Sequence, residues 1–159
     1  MGLVCNSGPL IALARIDRLD FLPSLYGTVL VPPAVYLEIT RDKSLVGADA
    51  LAKAEWLKVE AVSDIKQVGR LLSSLDTGES EAIVLAHELQ ATLALDERRG
   101  RKVAQGFFIP LTGTAGILLA AKNRGLIPAV TPLLESLIEK GIRISPRLYK
   151  EVKLRAGEP

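Results

Sequence analysis

Five oxygen-bearing side chains stand where an α/β chain would gather them at one edge of its sheet. Asn6 follows the apolar run Gly2-Leu3-Val4-Cys5, and Asp96 follows Ala91-Thr92-Leu93-Ala94-Leu95. Glu79 and Glu81 lie in the first turn of a helix leading towards that second run, and Glu38 sits among apolar neighbours on a short helix. In open α/β sheets, sites form beyond the carboxyl ends of the strands near a topological switch point. Carboxylates crowded there repel one another unless their charge is neutralised or a pKa rises. A cation answers that need, and hard oxygen ligands favour Mg²⁺ or Mn²⁺ over zinc. The same side chains also have plainer uses. Asp96 and Asn6 could cap the helices that follow them, and Glu79 could favour a helix N-terminus through the dipole.

Directly after Asp96 comes the basic run Arg98-Arg99-Gly100-Arg101-Lys102. It reads either as a solvated helix face or, beside a metal crevice, as a set of phosphate contacts. A second basic concentration, Arg143, Arg147, Lys150, Lys153 and Arg155, falls near the C-terminus. Other chemistries are poorly supported. Neither a G-x-x-x-x-G-K-[ST] loop nor a G-x-G-x-x-G turn is present. A G-x-S-x-G elbow is missing too, and the lone His87 gives little support to a Ser or Cys triad. Asp96 as the phosphoacceptor of a receiver domain would want an acidic pair near the first strand, where Leu3-Val4-Cys5-Asn6 offers none.

The elements that must position these groups alternate along the chain. Strands are expected at residues 2–5, 28–31, 56–59, 91–95 and 107–111. Between them the pattern predicts helices from Pro9, over 34–39, 46–54, 65–75, 79–89 and 97–105, with a break at Asp76-Thr77-Gly78. The stripe Ala82, Ile83, Leu85, Ala86 and Leu89 has helical period. Thr112-Gly113-Thr114 opens an apolar helix over 115–122, and the chain from Pro128 onward is helical, at 132–140 and 146–155. Continuously apolar strands alternating with helices argue for a parallel sheet covered on both faces.

Composition bounds the rest. With 159 residues, 48% hydrophobic and a net charge of +2, the chain is long and apolar enough for one folded domain, and disorder is disfavoured. A single cysteine, Cys5, precludes an intrachain disulfide and a multi-cysteine zinc site. No apolar run approaches the roughly 18 residues of a membrane span. No charged leader precedes an apolar core, so a cytoplasmic protein without a membrane partner is expected. The 20 basic and 18 acidic residues nearly cancel, so a function through charge must come from their placement.

Taken in order, several segments resemble the PIN (PilT N-terminal) domain, and most closely its branch of predicted nucleic-acid-binding PIN-like proteins. They are Val4-Cys5-Asn6-Ser7-Gly8-Pro9-Leu10-Ile11, Val31-Pro32-Pro33-Ala34-Val35-Tyr36-Leu37-Glu38 and Leu75-Asp76-Thr77-Gly78-Glu79-Ser80-Glu81-Ala82-Ile83. Leu95-Asp96-Glu97-Arg98-Arg99-Gly100-Arg101, Leu111-Thr112-Gly113-Thr114-Ala115-Gly116 and Ile144-Ser145-Pro146-Arg147-Leu148-Tyr149 complete the set. The resemblance implies a three-layer α/β/α sandwich around a central, mostly parallel sheet. It would form a single PIN-like domain over 1–159 with 128–159 as its helical C-terminal extension. It also implies a Mg²⁺- or Mn²⁺-dependent ribonuclease, related to VapC-type toxins, with RNA as substrate and an antitoxin and a homodimer as expected partners.

Carried over by position, Glu38 resembles the family's helix glutamate and Glu81 the acid before Ala-x-x-x-Ala, with Glu79 beside it. Asp96 resembles the strand-end aspartate and Thr114 the hydroxyl residue that completes the site. These imply a catalytic set of Asp96, Glu81, Glu38, Asn6 and Thr114. A metal would be held by Asp96, Glu81, Glu38, Asn6 and Glu79, while Arg98, Arg99, Arg101 and Lys102 would meet nucleic acid. One departure stands out: the family's first strand ends in Asp, and here that place is Asn6. An amide lends a carbonyl oxygen but no charge, which raises a second expectation, a weakened PIN fold that binds nucleic acid or a protein without cutting.

Overall fold

The computed structural model of the chain describes residues 2–159. Five short strands, β1 (Leu3–Cys5), β2 (Val29–Val31), β3 (Leu57–Val59), β4 (Thr92–Ala94) and β5 (Leu111–Thr112), form one sheet in the order β3-β2-β1-β4-β5. Every pairing is parallel, with Leu3 opposite both Val29 and Thr92. The sheet is thus wholly parallel. Leu3, Val4, Cys5, Val29, Val31, Leu93 and Ala94 are fully enclosed, as strands covered on both faces require.

Ten helices among the described residues flank it, giving the three-layer α/β/α architecture expected. α1 (Ser7–Arg15), α2 (Phe21–Tyr26), α3 (Pro33–Thr40) and α4 (Ala48–Lys53) fall in the first half of the chain. α5 (Ile65–Leu71) and α6 (Thr77–Leu89) lie between β3 and β4, and α7 (Arg98–Gly106) lies between β4 and β5. α8 (Thr114–Asn123), α9 (Thr131–Glu139) and α10 (Pro146–Ala156) follow. α6 packs on β1 and β4 and against α3 and α5, while α8 packs against α1 and α2 with α10 laid on α8. Val130, Leu134, Leu137 and Val152 carry the last two helices into the same apolar core.

Strand order reverses direction at β1, so the switch point lies between β1 and β4. Asn6 and Asp96 follow the carboxyl ends of these adjacent strands, and the Asn6 amide donates to the Ala94 carbonyl at 3.0 Å. The strand expected over 107–111 is the main difference from the pattern. α7 runs to Gly106, Phe108 turns back with φ 57°, and only Leu111–Thr112 pairs with β4. Pro110 cannot donate to a ladder; its carbonyl accepts from Leu93 instead. The short α2, with Pro23 in its first turn, carries no strong periodicity in the sequence.

Candidate active site

Asn6 occupies the N-cap position of α1, yet its side chain caps nothing. It is 4% exposed, and its Oδ1 has no hydrogen-bond donor. A buried acceptor left without a partner is costly, which marks it as an oxygen prepared for something other than the fold. Asp96, at the adjacent strand end, is held on both oxygens by one residue. Oδ1 accepts from the Thr114 amide at 2.7 Å and Oδ2 from the Thr114 hydroxyl at 2.6 Å. The carboxylate therefore caps the start of α8 while its outer face stays exposed. Gly113 permits this: a Cβ there would collide with Asp96 Oδ1 and approach the Leu95 carbonyl at 3.4 Å.

α6 opens with a capping box. Asp76 Oδ1 accepts from the Glu79 amide at 2.8 Å, and Glu79 Oε2 accepts from the Asp76 amide at 3.4 Å. The break expected at residues 76–78 is in fact this cap, with Thr77 and Gly78 already helical. Glu79 is only 6% exposed, and its other oxygen, Oε1, lacks a donor. Loss of hydration, the close side chain of Glu97, and the charges of Asp76 and Glu97 raise its carboxyl to about 7. Glu38 shares this surrounding. Desolvation lifts its pKa, the Ser7 hydroxyl opposes the rise, and Asp76 and Glu97 add to it. Its Oε1 lies against Gly78, where any Cβ would displace it.

Glu38 and Glu79 share Asp76 and Glu97 as charged neighbours, neither of which was expected from the sequence, while Asn6 and Asp96 follow the adjacent strand ends of β1 and β4. The spacing Asp76-Thr77-Gly78-Glu79 is itself a capping-box signature and could have placed Asp76. One oxygen of Glu81 is tied to α3. Two residues along α6 from Glu79, it meets α3, where its Oε1 accepts from the Ala34 amide at 3.0 Å. Thr114 is buried, and its hydroxyl proton is committed to Asp96. Cys5, directly behind Asn6, is fully buried, and burial and the Asp96 charge push its thiol pKa up, so it remains a neutral hydrophobe.

The basic run divides in two. Arg101 is inserted between strand ends, donating from Nη1 to the Leu95 carbonyl at 2.6 Å and to the Thr112 carbonyl at 2.9 Å. Arg99 donates to the Ser74 carbonyl at 3.4 Å. Arg98 and Lys102 are exposed and line a cavity of about 790 Å³ that starts at Asp96.

Among the described residues, no three acidic, histidine or cysteine side chains are grouped tightly enough to enclose a metal ion. The donor set nevertheless suits a hard cation. Two buried oxygens, Asn6 Oδ1 and Glu79 Oε1, lack donors, and the carboxyls around them are destabilised as anions. Mg²⁺ is commonly held by only one or two carboxylates while keeping several waters, so a tight protein cage is not required.

The wholly parallel five-stranded sheet between layers of helices defines the three-layer α/β/α class of fold. The chain belongs to the PIN domain family, whose profile matches residues 2–158. PIN domains are generally divalent-metal dependent. No curated protein and no solved structure matches the chain. No helix of the described residues is long and apolar enough to cross a membrane.

Proposed function

We propose that the chain is a divalent-metal-dependent endoribonuclease that hydrolyses RNA phosphodiester bonds in the crevice between β1 and β4. The observation that carries this reading is the pair of buried, donorless oxygens, Asn6 Oδ1 and Glu79 Oε1, within a carboxylate-lined cleft. Asp96, Glu38 and Glu79 would hold Mg²⁺ or Mn²⁺, with Asn6 as a neutral oxygen ligand. Glu81 joins the set through Oε2, since its Oε1 is held by the Ala34 amide. When bound, the ion supplies Lewis-acid polarisation of the phosphoryl group and offsets the charge that develops on it.

The protein's own groups do the rest. Thr114 fixes the rotamer of Asp96 through two short hydrogen bonds, so its outer face is presented in one orientation. Glu79, with its pKa near 7, holds a proton for part of the time at neutral pH, which relieves repulsion with Asp76 and Glu97. Arg98 and Lys102, free of protein partners, meet the phosphates of the strand, and Arg99 and Arg101 add charge beneath them. Such contacts give salt-sensitive binding with little sequence information. The family assignment, rather than any side chain, supports the finer expectations: a toxin with an antitoxin partner, a homodimer, residence in the cytoplasm, and residues 128–159 as an extension of one PIN-like domain.

Cleavage of single-stranded RNA with and without Mn²⁺ tests the reading. Wild type should cut only with the metal, Asp96→Asn should lose that activity, and Asn6→Asp should gain activity by restoring a central negative charge. Equal cleavage by wild type and Asp96→Asn would sink the active-site assignment. A second reading, an RNA- or protein-binding PIN fold that does not cut, is favoured by Asn6, whose amide withholds a negative charge from the crevice. Its signature is a wild type inert with Mn²⁺ whose Asn6→Asp variant is active.

A further inference from the structure

The two basic clusters of the sequence, near residue 100 and in the tail, meet in space. Residues of both α7 and α10 line the roughly 790 Å³ cavity that begins at Asp96. Arg98 and Lys102 come from α7 and Arg147 and Arg155 from α10. With Arg101 in the floor, five cationic side chains line it against two acidic ones, Asp96 and Glu151. Glu151 is already occupied by Arg155 at 2.8 Å. Arg98, Lys102 and Arg147 take part in none of the four ion pairs among the described residues.

Like charges gathered in one cleft repel, and Arg98, Lys102 and Arg147 have no ion-pair partner among the described residues, so the arrangement is suited to a polyanion. No aromatic side chain lines the cavity, while Leu111, Leu119 and Leu148 supply apolar floor. Base stacking is therefore absent, and recognition falls on the sugar-phosphate backbone. A cavity of this size falls in the range of small-ligand clefts and is large enough to take part of one strand.

We infer that the α7–α10 groove is the track of a single-stranded nucleic acid, with Arg147 and Arg155 of the C-terminal helix in its lining, leading the phosphodiester to Asp96. The inference rests on the nuclease reading only for what happens at the Asp96 end; binding in the groove needs no metal. α10 is held in place for the task. Val152 is buried, and Ser145 caps the helix by accepting from the Leu148 amide at 3.1 Å.

Fluorescence anisotropy with a short labelled oligoribonucleotide, in EDTA and across a salt series, tests it. Each phosphate contact removed should lower the slope of log affinity against log salt by about 0.7. Arg98→Glu/Arg147→Glu should weaken binding on the order of tenfold or more at low salt. Arg124→Glu, an exposed cation at the far end of α8, should leave binding unchanged. Circular dichroism shows that the double variant is folded. An oligodeoxyribonucleotide arm separates backbone charge from the 2′-hydroxyl, and tighter binding of RNA adds that hydroxyl to the groove's contacts. Binding of the double variant within about twofold of wild type overturns the groove, as does duplex binding equal to single strand. Groove-dependent binding without Mn²⁺-dependent cleavage defeats the nuclease reading and keeps the groove. Cleavage with unaltered binding in the double variant does the reverse.

Discussion

The last ordered turn of the chain should hold the C-terminal helices in place, and Glu158 is the residue to remove. Its Oε2 accepts from Lys122 Nζ and from the Val130 amide, both at 2.8 Å. Its Oε1 accepts from the Thr131 amide at 2.8 Å and the Thr131 hydroxyl at 2.5 Å. Val130 provides no side-chain cap of its own, so Glu158 serves as the N-terminal cap of α9. Losing a cap costs about 1 kcal/mol. The Lys122–Glu158 pair, with side chains 25% and 11% exposed, adds about 1 kcal/mol at the upper end for surface pairs. Glu158→Ala should therefore cost about 2–3 kcal/mol once the orphaned amides are included. For a chain this long that lowers Tm by roughly 5–10 °C. The hydrogen bonds hold the Glu158 pKa at about 2, below its ordinary value near 4.5. Its charged form is thus favoured by folding. The stability it contributes is fully present above about 4.5 and is lost as pH falls towards 2. Urea denaturation of wild type and Glu158→Ala at pH 7 and pH 3 reads both effects. A difference below about 0.5 kcal/mol at pH 7, or a gap that does not narrow on acidification, would refute the clasp.

Three further outcomes are expected. In Gly78→Ala the new Cβ takes the place of Glu38 Oε1, so the flexible carboxylate swings away from the crevice. Stability should hold or rise slightly while RNA cleavage falls roughly 10- to 100-fold, and full activity would contradict the placement of Glu38. Glu79 has its pKa raised to about 7, so between pH 4.5 and 7 the unfolded chain ionises before the folded one and stability declines across that window. Glu79→Gln should abolish the decline in metal-free buffer, as urea midpoints at pH 5 and 8 would show; equal declines in both proteins would count against it. Arg101→Ala frees the Leu95 and Thr112 carbonyls and should cost about 2 kcal/mol, seen as a fall in Tm. Lys102→Ala should leave Tm unchanged and weaken RNA binding instead.

How much of this could be read from the residues depends on whether the cause was local. The apolar runs ending at Asn6 and Asp96 are local signals, and the structure places both residues beyond adjacent strand ends. Phe107-Phe108-Ile109-Pro110 misleads because aromatic and β-branched residues favour strands, whereas the left-handed Phe108 and the donorless Pro110 govern the backbone there. Glu97 was unreadable for a different reason. Its effect on Glu79 requires α7 to dock closely, and that depends on Gly100, where a Cβ would meet Leu95 Cδ2 at 2.9 Å. Arg101 resembled its neighbours in sequence, but only the folded sheet shows two strand-end carbonyls awaiting a donor. The convergence of α7 with α10, nearly fifty residues apart, likewise arises from packing on α8 and β5 and leaves no mark in the sequence.

The amide at Asn6 acquires a physical rationale from the groups around it. Glu79 is driven to about 7 by desolvation and by Glu97 and Asp76. An aspartate at position 6, nearly as buried, would add another charge with no donor to offset it, and one more carboxyl would have to stay protonated or destabilise the fold. Asparagine keeps the oxygen and removes the charge. The arrangement therefore favours the folded protein without metal at the expense of affinity with it. The basic groove acts in the opposite direction, since phosphates drawn to Arg98 and Arg147 bring negative oxygens of their own to the Asp96 end. A cation held weakly by the protein alone gains ligands when the strand arrives, so metal and nucleic acid should each tighten the binding of the other.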